Sequence, residues 1–160
     1  MTYIHPTAII YPNVVIEEDC YIGPYCIIGA PAEWKGHEEE SKGVRIGAGS
    51  RLTGMVTVDA GAERPTVIGK NCYLMKHSHV GHDAILSNNV TLSCGAKVGG
   101  HAIIDTNCNI GLNAVIHQRV YVPAGCMIGA SAFIGKKTIL QPYRKYAGVP
   151  AKDIGENIIP

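Results

Sequence analysis

An aliphatic residue returns at every sixth position of this 160-residue chain, in three uninterrupted runs. The runs span Ile4–Ile28, Ile46–Val58 and Ile68–Leu140, and each of their 21 sixth positions, called anchors below, is Ile, Leu or Val. Four residues after the anchors, the side chain is Ala, Ser, Cys, Thr or Val in 20 of 21 cases. An α-helix repeats every 3.6 residues and an amphipathic strand every two, so neither explains this period.

A short strand followed by a tight turn accounts for the period of six. Three such units close a triangular coil of about 18 residues, which stacks on the next coil by parallel β pairing about 4.8 Å away. The anchors and the small residues then point inward, and Gly, which follows nine anchors, permits the turn conformations. The 20 Ile and 13 Val against 6 Leu are also typical of a β protein. We therefore predict an all-β, three-sided parallel β-helix.

The repeat predicts one β-helix domain over residues 1–140, interrupted twice. The polar segment Glu33–Val44 is predicted to be a loop insertion, either functional or simply solvated, and Glu63–Val67 adds four residues. After Leu140 the period is lost. Residues 141–160 are therefore expected to form an irregular tail that covers the end of the solenoid or packs along its side.

Composition limits the function classes. A formal charge of +1 gives no reason to expect a nucleic-acid partner, and no apolar run approaches the about 18 residues of a membrane span. Residues 1–13 lack the basic start and apolar run of a secretory signal, so we expect a cytoplasmic protein.

The cysteines are expected to be core residues with reduced thiols. Five of the six occupy the small inward position, and no paired C-x2-C spacing exists, so neither structural zinc nor a disulfide framework is expected. The five are Cys20, Cys26, Cys72, Cys108 and Cys126; the exception is Cys94.

The histidines behave in the opposite way, because none of the seven occupies an inward position. Five of them fall within 41 residues: His77, His79, His82, His101 and His117. Since stacked coils repeat every 18 residues or so, Asp83 and His101 are predicted to lie one above the other, and Gly100 one coil above His82. Such clustering favours a functional site over solvated surface histidines.

Three motifs at these positions carry a resemblance to a known family. HSHVGHDA at 77–84, GGHAIID at 99–105 and AVIHQ at 114–118 resemble the hexapeptide-repeat acyltransferases, in particular the UDP-N-acetylglucosamine O-acyltransferases of lipid A biosynthesis. The resemblance extends to IHPTAI at 4–9 and IGPYCIIG at 22–29. It implies a left-handed β-helix and transfer of an acyl group from a thioester to a hydroxyl or amine of a sugar nucleotide.

The same resemblance implies a role for each site residue. His82 is the expected general base and Gly100 the oxyanion-hole amide. Substrate-binding or orienting roles are implied for His79, His101, His117 and Gln118, and nucleotide-sugar contacts for Glu33 and Lys35. Asp83 is a supporting residue that either orients an imidazole or pairs with His101.

The chemistry of acyl transfer is consistent with these roles. A base must take the proton of the attacking hydroxyl or amine, and an N–H must stabilise the oxyanion that forms on the thioester carbonyl. No cysteine or serine nucleophile is needed, so direct transfer is the simpler mechanism. We expect no permanently bound cofactor and no metal; the co-substrate is an acyl-carrier-protein or coenzyme A thioester.

Three alternatives remain at this stage. The segment YAGVPAKDIG at 146–155 is similar to the tail of acetyl-CoA-dependent sugar O- or N-acetyltransferases, and the basic residues around it suit coenzyme A phosphates, a carrier protein or plain solvent. A γ-carbonic-anhydrase-like metalloprotein shares this solenoid, but its His-x4-His spacing occurs here only from His77 to His82. A non-catalytic assembly platform would leave the histidine cluster unexplained.

The expected position of the site also predicts an assembly. The candidate groups lie on the outside of the coil, where one chain offers a surface and no cleft. We therefore expect a homotrimer with the site between neighbouring chains, as the resemblance implies.

Overall fold

The computed structural model describes residues 1–159, which form 22 strands in three sheets. The first sheet contains, in spatial order, β1 (Tyr3–Ile4), β4 (Tyr21–Ile22), β7 (Arg51–Leu52), β10 (Tyr73–Leu74), β13 (Thr91–Leu92), β16 (Asn109–Ile110), β19 (Met127–Ile128), β21 (Arg144–Ala147) and β22 (Lys152–Glu156). The second contains β2 (Ile9–Ile10), β5 (Ile27–Ala30), β8 (Thr57–Asp59), β11 (His79–Val80), β14 (Lys97–Val98), β17 (Val115–Ile116) and β20 (Phe133–Ile134). The third contains β3 (Val14–Ile16), β6 (Val44–Ile46), β9 (Thr66–Ile68), β12 (Ile85–Leu86), β15 (Ile103–Ile104) and β18 (Tyr121–Val122). Among these residues, no helix is long and apolar enough to cross a membrane.

The chain visits the three sheets in turn and so builds a three-sided solenoid of about eight turns. Pairing is parallel with a register of 18 residues over the regular coils, for example Leu74 with Leu92 and Leu92 with Ile110. The anchors from Ile22 to Ile134 are at most 1% exposed, whereas Ile4, in the first coil, is 43% exposed because only one neighbouring coil covers it. The predicted fold class is confirmed.

The small inward positions fill the corners of the triangle. Five cysteines are buried there with free thiols, and Cys94 is exposed. The buried thiols reach backbone carbonyls of a neighbouring coil: the Cys72 Sγ lies 3.2 Å from the Ser87 carbonyl oxygen and the Cys126 Sγ lies 3.2 Å from that of Gln141. These five cysteines are therefore core residues, as predicted.

The role predicted for glycine holds at Gly29, which has a φ of 88°, but not at the other eight glycines that follow an anchor. The left-handed backbone conformation falls on the third residue after the anchor, often Asn, as at Asn89 (φ 58°) and Asn107 (φ 60°). The glycine directly after the anchor is required by close coil packing, since a Cβ on Gly99 would lie 2.5 Å from the Gln118 nitrogen and one on Gly69 would lie 2.6 Å from the Ser87 carbonyl carbon. Both contacts are shorter than any side chain tolerates.

The two interruptions of the repeat meet at one corner of the triangle, where the second sheet passes into the third. The loop between β5 and β6 covers residues 31–43, so its predicted end at Val44 was one residue late. It contacts the insertion between β8 and β9, because the Lys42 N–H donates to the Gly61 carbonyl at 2.7 Å. This edge, called the site corner below, also holds the turns at 81–84, 99–102 and 117–120.

The last twenty residues are more regular than predicted. β21 continues the first sheet in register, with Tyr146 beside Ile128, and Tyr146 takes the place of the anchor six residues after Leu140. β22 then pairs antiparallel with β21 and covers the end of the sheet. The repeat was lost in the sequence because an aromatic side chain replaced the aliphatic one.

Candidate active site

His82 and Asp83 form the centre of the site corner. They occupy the turn between β11 and β12, and Asp83 adopts the left-handed conformation (φ 62°) that this turn position requires. The His82 Nδ1 lies 2.7 Å from the Asp83 Oδ2, a hydrogen bond that fixes the ring, and the Nε2 has no hydrogen-bond partner in residues 1–159. The Asp83 Oδ2 lies 3.7 Å from the His101 Nε2. Of the two roles left open for Asp83, the geometry favours orienting His82.

The insertion after β8 explains why Asp83 stays ionised although it is fully buried. Its carboxylate accepts hydrogen bonds from the backbone N–H groups of Ala62 (3.1 Å), Glu63 (2.8 Å) and Arg64 (2.8 Å). Burial raises the pKa of Asp83, but these three bonds and the one from His82 outweigh it and lower the pKa to about 2. The backbone of this insertion thus provides three hydrogen-bond donors for one carboxylate.

Gly100 lies directly against the free edge of His82. A Cβ on Gly100 would stand 2.5 Å from the His82 Nε2, so only glycine leaves room for the imidazole. In residues 1–159 the Gly100 N–H has no hydrogen-bond partner, which is also true of other turns at this position; its nearness to His82 is what distinguishes it. The arrangement predicted from the 18-residue repeat, with Gly100 one coil above His82, is confirmed.

His101 contacts the His82–Asp83 pair from the next coil. Its N–H donates to the His82 carbonyl at 2.9 Å, and its Nε2 lies 3.0 Å from the Glu63 Oε2. Its ring stands edge-on to that of His82, with centroids 5.2 Å apart. The predicted stacking of His101 above Asp83 is confirmed, although the closest carboxylate to its Nε2 belongs to Glu63.

Trp34, in the loop at 31–43, covers the imidazoles from outside. Its ring stacks on His82 at 5.2 Å between centroids and 18° between planes, and it meets His101 edge-on at 5.4 Å. His37 stacks on the opposite face at 3.8 Å. Trp34 was not predicted as a site residue, although one sequence feature points to it: the single tryptophan of the chain lies in the interruption of the repeat that carries Glu33 and Lys35.

His79 and Asp59 form a second cluster one strand away. The His79 Nδ1 lies 2.7 Å from the Thr57 Oγ1, and its Nε2 lies 3.6 Å from the Asp59 Oδ2. Burial and, next, the Lys97 ammonium lower the pKa of His79. Burial, together with the nearby Glu33 carboxylate, raises the pKa of Asp59 to about 7. Asp59 was not predicted, since an aspartate after an anchor looks like an ordinary turn residue.

One groove of about 420 Å³ joins most of these groups. It contains the predicted residues Glu33, His79, His82, Gly100, His117 and Gln118, and also Asp59. Asp83 and His101 lie behind it, whereas Lys35 is exposed and does not line it. A second groove of about 680 Å³ shares His117 with the first and is lined by Phe133, Lys136, Lys137, Lys152 and Asp153 among others.

His82, Asp83 and His101 also place three potential metal ligands within 4.8 Å of one another. The Asp83 carboxylate, however, already accepts four hydrogen bonds, from His82 and from three backbone N–H groups. A metal ion bound there would have to displace the proton on the His82 Nδ1. The donor set therefore fits an oriented base better than a zinc site.

Comparison with known sequences gives matches to parts of this chain. The family described as "Bacterial transferase hexapeptide (six repeats)" matches residues 1–33. A protein of Campylobacter lari, named as an acyl-(acyl-carrier-protein)–UDP-N-acetylglucosamine O-acyltransferase, is 39% identical over 85 residues. That match covers 51% of this chain and 32% of the Campylobacter protein. The chain thus spans about a third of the length of this relative.

Solved structures match over nearly the whole chain. A UDP-N-acetylglucosamine acyltransferase from Bacteroides fragilis superimposes with a TM-score of 0.82 at 25% identity, covering 97% of this chain and 75% of that one. The acetyltransferase domain of PglB from Neisseria gonorrhoeae gives 0.68 at 25% identity, covering 96% and 58%. The fold is the left-handed β-helix of the acyltransferase structures, which confirms the resemblance seen in the sequence.

Proposed function

We propose that this chain, a hexapeptide-repeat protein similar to the UDP-N-acetylglucosamine O-acyltransferases, transfers an acyl group from a thioester to a hydroxyl or amine of a sugar nucleotide. UDP-N-acetylglucosamine is the first acceptor to test, because the relatives with matching sequence are named for it. One observation carries the proposal: the Asp83-bound imidazole of His82 presents its free Nε2 beside the backbone of Gly100, inside a groove.

His82 acts as the general base in this proposal. The carboxylate of Asp83 holds the proton on Nδ1, so the lone pair on Nε2 faces the groove and can take the proton of the acceptor. The acceptor oxygen or nitrogen then bonds to the thioester carbonyl carbon, and the C–S bond breaks. His82 returns its proton to the sulfur of the leaving thiol, so the enzyme ends unchanged.

Gly100 supplies the complementary electrophilic group. Its N–H has no partner in residues 1–159, and it lies beside the atom that receives the proton. A preorganised N–H at the developing oxyanion is worth a factor of about 10² to 10³ in turnover. The absence of a side chain therefore serves two purposes, room for His82 and access for the substrate carbonyl.

Trp34 and His101 keep the base in place. Trp34 stacks on one face of His82, and His101 stands edge-on to it, so the ring can swing toward neither. Of the predicted substrate contacts, Glu33, His79, His117 and Gln118 line the groove and are proposed to bind the sugar nucleotide. Lys35 lies outside the groove, where it can meet only a part of the nucleotide that projects into solvent.

The second groove is the proposed donor site. It meets the first at His117, and it combines apolar side chains such as Phe133 and Ile139 with three lysines and Asp153. In this proposal a pantetheine arm packs on the apolar side chains, and the lysines bind nearby phosphates. The relatives with matching sequence are named for an acyl-carrier-protein donor, whereas the similar PglB domain is named an acetyltransferase, so an acetyl thioester such as acetyl coenzyme A is the second donor to test. Both donors are part of the proposal. The proposed location of the reaction is the cytoplasm, where the six free thiols stay reduced.

Assembly into a homotrimer is part of the proposal. Both grooves open at an outer edge of the solenoid, so a neighbouring chain would convert each into a cleft. Light scattering at micromolar concentration is expected to give three times the mass of the chain, and a monomer would contradict the trimer.

The function itself is tested by product formation. Purified protein is incubated with UDP-N-acetylglucosamine and a panel of acyl-carrier-protein and coenzyme A thioesters, while thiol release and product mass are followed. Acylated nucleotide from at least one donor is the expected result. No acylated product with any donor, from protein whose melting temperature shows it to be folded, would contradict the proposal.

A further inference from the structure

Asp59 is the one buried acidic side chain at the site corner whose hydrogen bonding is incomplete in residues 1–159. Its side chain is 8% exposed, and its Oδ2 has no hydrogen-bond partner. The residue also lines the first groove, next to the place where an acceptor would bind. Leaving a buried carboxylate oxygen unpaired is costly, so this atom requires an explanation, and a group supplied by the substrate is one.

None of the neighbouring groups satisfies this oxygen. The His79 Nε2 is 3.6 Å away, beyond hydrogen-bond distance, and burial and Lys97 lower the pKa of His79, which leaves the ring neutral. Lys97 itself directs its ammonium to the carbonyl oxygens of Gly95 at 2.6 Å and His77 at 3.4 Å. Glu33 adds a second carboxylate to the same groove and so raises the need for a donor.

The number of donors on the acceptor decides which ligand fits. A hydroxyl has one proton to give, and transfer requires that this proton go to the His82 Nε2. An amine has two N–H donors and one lone pair. It can therefore give one N–H to His82 and one to Asp59 while its lone pair attacks the thioester, and it leaves no carboxylate unpaired in the groove.

We propose that the acceptor is an amino sugar nucleotide, and that Asp59 determines this specificity by accepting an N–H of the amine that becomes acylated. This inference rests on the proposed acyltransferase function and narrows its substrate class. In the step, the C–N bond forms at the thioester carbonyl carbon and the C–S bond breaks. His82 carries one amine proton to the sulfur, and Asp59 keeps its own protonation state.

The test compares matched acceptors. UDP-N-acetylglucosamine and analogues in which each sugar hydroxyl is singly replaced by an amino group are assayed for kcat/KM and, without donor, for Kd by calorimetry. One amino analogue is expected to have a kcat/KM at least tenfold higher than that of the hydroxyl compound, and a Kd at least tenfold lower. A site built to bind an N–H rejects the analogue that lacks it, which is the basis of this expectation.

Variants assign the preference to Asp59. Asp59→Leu, which removes both oxygens, is expected to abolish the difference between the two acceptors, while Asp59→Asn, which retains a carbonyl acceptor, keeps part of it. Asp105→Asn is the control, because Asp105 lies at a different corner, with its Oδ2 bonded to the Tyr121 hydroxyl, and should leave the preference unchanged.

The outcomes separate this inference from the function on which it rests. Equal Kd and equal kcat/KM for the two acceptors, or a preference that survives in Asp59→Leu, would overturn the role of Asp59 while leaving acyl transfer intact. Tighter binding of the amino analogue without any acylation would support Asp59 as the selecting residue and contradict the proposed function.

Discussion

Two aspartates at one corner of the solenoid have opposite surroundings. Asp83 accepts hydrogen bonds from His82 and from three backbone N–H groups of the insertion, and its pKa is about 2. Asp59, whose side chain is 8% exposed, has an oxygen with no partner in residues 1–159, and its pKa is about 7. In the proposed function, the carboxylate with all its partners is a fixed part of the catalytic base. The incomplete one is suited to a partner that arrives with the substrate.

Among the substitutions that test this comparison, Asp83→Asn should have the largest effect on activity. The amide does not hold the proton on the His82 Nδ1. In part of the molecules the proton then sits on Nε2, which cannot act as a base. Three backbone N–H groups also lose a charged acceptor. We expect kcat to fall by a factor of about 10² to 10⁴ with little change in KM. Steady-state kinetics measure this, and a rise in KM with unchanged kcat would place Asp83 in substrate binding instead.

Gly100→Ala tests the other side of the base. The added Cβ would stand 2.5 Å from the His82 Nε2, so the ring must move away from the groove. We expect a loss of about 10²-fold in turnover, because both the base and the access to the Gly100 N–H are disturbed. The melting temperature is measured alongside, and full activity in a folded Gly100→Ala variant would refute the assigned packing.

The pH dependence of stability should separate the two aspartates by sign. The folded pKa of Asp83 lies below its ordinary value of 3.8, so its stabilisation is present above about pH 4 and is lost as the pH falls toward 2. The folded pKa of Asp59 lies above 3.8, so the unfolded state ionises first, and the cost of Asp59 grows as the pH rises from about 4 to 7.

Urea denaturation of two variants measures this difference. At pH 8, Asp83→Asn should lower the free energy of unfolding by about 2 kcal/mol, and Asp59→Asn should raise it by about 4 kcal/mol, because the pKa of Asp59 is shifted further. At pH 4 the gain from Asp59→Asn should nearly vanish. Equal effects of Asp59→Asn at both pH values would show that Asp59 ionises normally in the folded protein.

The difference between the two aspartates also marks what sequence could predict. The period of six placed His82, Asp83, Gly100 and His101 at one corner, because residues 18 apart must stack. Periodicity says nothing about segments that leave the coil. The Trp34 stack and the backbone N–H donors at 62–64 come from such segments, and Asp59 is buried in part because the loop bearing Glu33 lies over it.

Two other departures from prediction have simple physical causes. Tyr146 fills an inward position that the pattern reserved for Ile, Leu or Val, so the last coil went unnoticed. Glycine is required after most anchors because the backbone of the next coil lies too close for a Cβ atom. The sequence pattern does not reveal this distance. The places of His82, Asp83, Gly100 and His101 were thus predictable, whereas Trp34, Asp59 and the hydrogen-bond partners of these residues required coordinates.

Cys108→Ala, a change in the core away from the site, should have the smallest effect. The thiol is buried against the Pro123 carbonyl oxygen at 3.0 Å, and its loss is expected to cost about 1 kcal/mol with activity retained. Cys108→Leu should cost more by overpacking the corner, and the exposed Cys94→Ala should cost nothing measurable. Loss of activity in a folded Cys108→Ala protein would mean that this thiol is more than a core residue.

The most direct measurement of the central claim is the turnover of His82→Ala, with His77→Ala as a matched control. His77 occupies a turn at another corner, is exposed and lies outside both grooves. With the donor and acceptor that the wild type uses best, His82→Ala and His82→Asn should each lose about 10² to 10⁴-fold in kcat, while His77→Ala stays near wild type. Retention of more than about a tenth of wild-type turnover by folded His82→Ala would remove this residue from the role of general base.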